Sequence, residues 1–187
     1  MTFLTETQED ALSEVVNIGF SRTAASLSDL TGHRVLLQVP SVSILPIGEL
    51  QGSLGEFVQG EIATVHQIFT GSVFGDAILT DEKADAGQMY ESDREVLTEV
   101  GNILLNACLG SFGNILDVQI TFAVPRLHLE DLSSLLDTLV IGKDEIQYAL
   151  VIYTNFEIKG SEISGVLVIV LGVNSLERLL AAVESLG

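Results

Sequence analysis

Two short stretches of the chain place a carboxyl group and a carboxamide at the same spacing. In "EDALSEVVN" (9–17), Asp10, Glu14 and Asn17 follow one another at helical intervals, and Pro40 comes after a further twenty-two residues. In "REVLTEVGN" (94–102), Glu95, Glu99 and Asn102 do the same, and Pro125 again follows after twenty-two. The two copies lie 85 positions apart. Residues three apart on a helix are neighbours, so each Glu stands beside its Asn. A carboxylate binds a cationic side chain, and an amide holds a water through one donor and one acceptor. Phosphoryl transfer to water depends mostly on positioning and charge stabilisation, so an inserted amide can serve it without being a nucleophile. An ordinary solvated helix face also carries Glu and Asn. Recurrence favours the functional reading, because Phe20 becomes Leu105 and Arg22 becomes Ala107 while both Glu and Asn are retained.

Other chemistry is thin. His33, His66 and His128 have no partner at ligand spacing, and each reads as a surface or strand residue. "GFSRT" (19–23) resembles a nucleophile elbow but lacks the final glycine and falls in mid-helix. "GSLGEF" and "GSFGN" lack the lysine and the strand-to-helix context of a phosphate loop, and "DEKAD" matches no calcium loop. The one cysteine, Cys108, excludes an internal disulfide and reads as a reduced, buried thiol on an apolar helix face.

The elements that must position the Glu/Asn pairs repeat as well. Residues 8–30 carry a helical period, with Leu12, Val15, Val16, Gly19, Thr23 and Leu30 inward and Asp10, Glu14, Asn17 and Ser21 outward. Thr7 with Asp10 suggests the N-terminal cap, and Gly32 the stop. "HRVLLQVPSVSILPI" reads as extended chain that Pro40 and Pro46 confine to an edge or a break. Two strands follow in "GEIATVHQIF" and "GSVFGDAIL", then a short helix or polar connector over 80–90. The second half opens with a helix over about 93–113, with Leu97, Val100, Gly101, Leu104, Cys108 and Ile115 inward. "VQITFAVPRLHL" is extended, "IQYALVIYTNFEI" and "ISGVLVIVLGV" are strands, and a closing helix starts with Asn174 at its cap. Neither half buries its own sheet face, so the expectation is one α+β domain with repeats over 1–87 and 88–187 and pseudo-twofold symmetry.

With 47% hydrophobic residues, 187 residues suffice for one substantial core. A net charge of −18 repels nucleic acid and anionic membrane, and suits either a partner with a basic rim or solubility alone. The N-terminal decapeptide shows no secretory signal, and the longest apolar run, "GVLVIVLGV", is too short to span a bilayer. The chain reads as cytoplasmic.

The spacing of Asp10, Glu14, Asn17 and Pro40, repeated from Glu95 to Pro125, resembles the signature of the CheC/CheX/FliY phosphatases of bacterial chemotaxis. Two copies resemble the two-site CheC more than the single-site CheX. The resemblance implies a mixed central sheet with the two motif helices side by side on one face. It implies hydrolysis of the aspartyl phosphate of a CheY-type response regulator, with Glu14 and Glu99 pairing with a lysine of the regulator and Asn17 and Asn102 orienting the attacking water. Magnesium then belongs to the regulator, the chain needs no cofactor of its own, and the deamidase CheD is admitted as a second partner. The alternative is a binding module, CheC-like or like a flagellar switch protein, that docks a receiver domain or CheD without turnover.

This chain departs from the family pattern at four places. Ser21 and Asn106 stand where a glycine is common four residues after the Asn, and Val16 replaces a glycine before the first Asn. Glu95 stands where Asp or Ser is usual, and with Ser92 it could form a capping box instead. A helical wheel puts Ser21 and Ala24 beside Asn17, but Asn106 and the larger Leu109 beside Asn102, with Phe20 as a possible obstruction at the first site. The first site is therefore expected to carry more of any activity.

Overall fold

The first long helix, α1 (Glu6–Thr31), starts at a capping box in which Thr5 Oγ1 accepts the Gln8 amide hydrogen at 3.3 Å and Gln8 Oε1 accepts that of Thr5 at 2.9 Å. The cap thus lies two residues before Thr7, and Asp10 is already inside the helix. Gly32, at φ +66°, ends it in the left-handed conformation that a side chain disfavours. The computed structural model describes residues 4–32, 34–55, 59–71, 74–85, 89–138, 147–158 and 161–185. His33 lies outside them, as do the side chains of Leu30, Pro40, Cys108 and Ile115.

After α1 come β1 (Val35–Pro46), α2 (Ile47–Leu54), β2 (Ile62–Gly71) and β3 (Gly75–Asp85). The second long helix, α3 (Glu91–Leu116), precedes β4 (Ile120–Phe122), β5 (Arg126–Glu130), α4 (Leu132–Asp137), β6 (Gln147–Ile158), β7 (Ser161–Gly172) and α5 (Val173–Glu184). Three boundaries differ from the sequence reading. Because α3 begins at Glu91, Ser92 is already within it and does not cap it. The N-cap of α5 is Gly172, which leaves Asn174 in the first turn. The polar stretch 81–85 continues β3, held by the pairs Asp81–Gly165 and Ile62–Asp85. The short helices α2 and α4 were not foreseen at all.

The strands form one sheet in the order β1-β6-β7-β3-β2-β4, with β5 beside β4 on the outer side of β2. Every described pairing is antiparallel, which corrects the expected mixed sheet. For β2–β3 and β6–β7, consecutive in the chain, the short connections impose this direction, because a parallel pair would need a long crossover; the other four described pairings join strands distant in sequence. The order reads the same from either end when β1 is exchanged for β4 with β5, β2 for β6, and β3 for β7.

Register follows the same exchange. Val35 pairs with Ile158 and Ile120 with Gly71; Ser41 pairs with Tyr153 and Arg126 with His66. In both comparisons the outer residue moves by 85 positions and the inner one by 87. The motif prolines mark the same event at opposite edges. Pro40 falls at the irregularity between Gln38 and Ser41, and Pro125 separates β4 from β5. A residue without an N–H interrupts the ladder there. The carbonyl two positions earlier is satisfied by a side chain instead: Thr154 Oγ1 donates to Gln38 O at 3.0 Å, and Gln67 Nε2 to Ala123 O at 2.9 Å.

Alternation along the strands gives the sheet two buried faces. Leu167, Ile169 and Leu171 of β7 meet Leu12, Val16 and Phe20 of α1, Leu97, Leu104 and Leu105 of α3, and Leu179 of α5. Val166, Val168 and Val170 point the other way, toward Leu50 of α2 and Leu135 of α4. The result is a layered α/β/α arrangement with α1 and α3 in mutual contact on one face.

Candidate functional site

On α1 the apolar stripe is turned to the sheet, so the opposite stripe faces solvent. Asp10, Glu14 and Asn17 are all exposed there. Together with Ile18 and Ser21 they line one shallow groove along the helix, closed at its far end by Arg22. Asn17 makes no side-chain hydrogen bond among the described residues. The structure therefore brings three of the four first-copy motif residues together, while Pro40 lies in the edge strand β1.

On α3, Glu95 and Glu99 are exposed and line a second groove with Tyr90, Arg94 and Thr98. That groove stops short of Asn102. Asn102 is half-buried, and its Oδ1 accepts a hydrogen bond of 3.0 Å from Asn106 Nδ2, one turn further on. Pro125 again lies at the sheet edge, between β4 and β5.

The residues expected to flank the asparagines need correction. Phe20 is 2% exposed and Leu105 is fully buried, so both are core residues and neither can obstruct a partner. Leu109, at 1%, is core as well. Position +7 trails the Asn by about 20° on an ideal helix, and on α3, which packs on β2, β3, β4 and β5, that side is covered. Ser21 and Ala24 are placed as expected, exposed and half-buried respectively. Ile18, 48% exposed beside Asn17, was missed. Its signal was an isoleucine on the polar side of an amphipathic helix.

Both motifs carry like charges at i,i+4, Asp10 with Glu14 and Glu95 with Glu99, the second extended by Glu91. Each such pair costs an isolated helix about 0.2–0.5 kcal/mol. Neither helix gains stability from this arrangement, which presents concentrated negative charge to whatever approaches. The two described histidines are strand residues, as read. His66, buried on β2, is 2.7 Å from Asp76 on β3, and His128 on β5 is 3.1 Å from Glu130. Among the described residues no three His, Cys, Asp or Glu side chains converge on a point that could hold a metal ion, and no helix is long and apolar enough to cross a membrane.

Similarity to known proteins converges on one family. A family model described as the CheC-like family matches residues 8–44, the stretch that carries Asp10 to Pro40. The flagellar motor switch phosphatase FliY of Bacillus subtilis (strain 168) is 23% identical over 176 residues, which is 86% of this chain and 44% of that protein. The chain thus spans less than half the length of that relative. The CheY-P phosphatase CheC of the same organism is 24% identical over 172 residues, 80% of each protein. Among solved structures, Thermotoga maritima FliY matches with a TM-score of 0.74 at 16% identity, covering 98% of this chain and 99% of that one. The middle domain of FliM from H. pylori gives 0.65 at 12%, covering 96% and 99%. At these identities the structural likeness establishes the fold, an antiparallel sheet layered between helices that FliY and FliM share. Residues 8–44 thus match the CheC-like family, and the chain as a whole is similar to FliY and CheC in sequence and to FliY in fold.

Proposed function

We propose that this protein hydrolyses the aspartyl phosphate of a CheY-type response regulator. The observation that carries the reading is the exposed, unpartnered Asn17 beside exposed Glu14 on a rigid, well-packed helix of this fold. Glu14 receives a lysine of the receiver domain, and the surrounding negative charge favours that approach. The Asn17 amide enters the receiver's site, where its oxygen accepts a hydrogen bond from the attacking water and orients the water in line with the phosphorus. Glu99 and Asn102 form the corresponding pair on α3. The magnesium ion that such a reaction uses resides on the receiver, and this chain contributes orientation and docking only. The proteins named as phosphatases among its relatives support this assignment.

The test is phosphate release from a phosphorylated CheY-type receiver, with and without this protein. The expected result is a rate that rises with protein concentration and collapses for Asn17→Ala with Asn102→Ala. Binding of the receiver with no acceleration would favour a docking module instead, a reading to which the FliM-like fold lends some support.

A further inference from the structure

The two asparagines are not presented alike. Asn17 is exposed, and its neighbour one turn on, Ser21, makes no bond to it among the described residues. Asn102 is half-buried, with its Oδ1 engaged by Asn106 Nδ2 at 3.0 Å. Asn106 itself is seated in the protein, for its own Oδ1 is buried and without a partner among the described residues. With its oxygen turned inward, the Asn106 amide directs its Nδ2 at Asn102. The contact therefore fixes the plane of the Asn102 amide and points its oxygen along the helix rather than outward.

We infer that Asn106 is a latch that holds the second motif amide in a non-productive orientation, so that the site on α3 is suppressed in the free protein. The inference rests on the phosphatase reading and goes beyond it, since that reading treats the two Glu/Asn pairs alike. An amide that positions water must present both its oxygen and its N–H₂ to the incoming group. To do so, Asn102 must turn away from Asn106 and leave that donor without its acceptor. Docking through the exposed Glu99 is untouched by the latch, so suppression falls on kcat and leaves KM alone. Asn106 acts as a positioning residue, working only through Asn102.

The experiment isolates the second site in an Asn17→Ala background and measures steady-state phosphate release from a phosphorylated CheY-type receiver. Asn106→Ser, which installs the residue of the first copy, should raise kcat about tenfold at unchanged KM, the equivalent of one hydrogen bond. Adding Asn102→Ala should abolish the gain. Asn106→Ala is the second releasing variant should the serine perturb folding, with thermal melts as the control. The reciprocal variant, Ser21→Asn in an Asn102→Ala background, should lower kcat by a similar factor. The latch is overturned if both releasing variants are folded yet no faster than Asn17→Ala alone while the wild type turns over. It is equally overturned if Asn17→Ala retains the full wild-type rate, or if the gain persists without Asn102. Absence of turnover in the wild type and in every variant would instead remove the phosphatase reading, and the latch with it.

Discussion

The helices α1 and α3 carry the same polar pattern, and one displays it while the other draws it in. The difference starts one residue before each asparagine. On α1 that residue is Val16, whose buried side chain stands between helix and sheet. On α3 it is Gly101, where an added Cβ would lie 2.8 Å from Val65 Cγ2 and 2.9 Å from Val65 Cβ. A glycine lets the backbone of α3 approach Val65 of β2 closely at this point. Asn102 is half-buried and bonded to Asn106 one turn on, while Asn17 is exposed. Two motifs of equal spacing thus stand in unequal surroundings.

The sharpest way to break this comparison is to remove both amides. Asn17→Ala with Asn102→Ala should lower phosphate release from the receiver by about 100-fold, the scale of a lost positioning group, with a native melting curve. A parental rate in that variant would end the amide reading for both sites. Next in size is Gly101→Ala. Alanine is the better helix former by about 1 kcal/mol, yet the clash with the stiff, buried Val65 should leave the protein less stable by about 1–3 kcal/mol in urea unfolding. A more stable Gly101→Ala protein would mean that α3 does not lie as close to β2 as described.

The single asparagine variants sharpen the contrast through stability rather than rate. Asn102→Ala deprives Asn106 of its acceptor and should cost about 1 kcal/mol. Asn17→Ala, on an open surface, should stay within about 0.5 kcal/mol of the parent. Equal unfolding midpoints for the two would erase the difference in environment. Smaller again are the glutamates: Glu14→Gln and Glu99→Gln should each weaken receiver binding by about 2–5-fold, as exposed ion pairs do. Added salt should shrink the gap between these variants and wild type, which titration calorimetry at two ionic strengths would read.

The smallest effect concerns the short helices on the far face. Helix α2 has Pro46 at its N-cap with no side-chain bond, whereas at α4 Asp131 accepts the Ser134 amide hydrogen at 2.8 Å. That hydrogen bond holds the exposed Asp131 carboxyl below its ordinary pKa. A carboxyl depressed in the folded state adds stability above its unfolded pKa and loses it as pH falls through the folded one. Asp131→Ala should therefore melt slightly lower than wild type at pH 7, and the gap should close at pH values below about 4. A gap of constant size across that range would show that the cap does not work through the ionised carboxylate.

The polar motifs, their helices and the strands around them were legible in local residue patterns. These are readable because helix and strand periods are short-range: Glu14 and Asn17 fall three apart, the inward faces of both helices repeat within a few residues, and a proline weakens any strand that contains it. Pro40 and Pro46 could be assigned to an edge or a break from their chemistry alone, and both lie in the edge strand β1. The tertiary structure decided everything that depends on what arrives from elsewhere in the chain. Strands distant in the chain, such as β1 with β6 and β3 with β7, came together antiparallel, and the pairing of β2 with β3 buried His66 against Asp76. Flanking strands covered Leu109, and Val65 came to lie against α3 where Gly101 leaves the helix bare. A helical wheel reports direction relative to the helix's own axis. How deep that axis lies on the sheet is fixed by side chains dozens of residues away, and no local period encodes it.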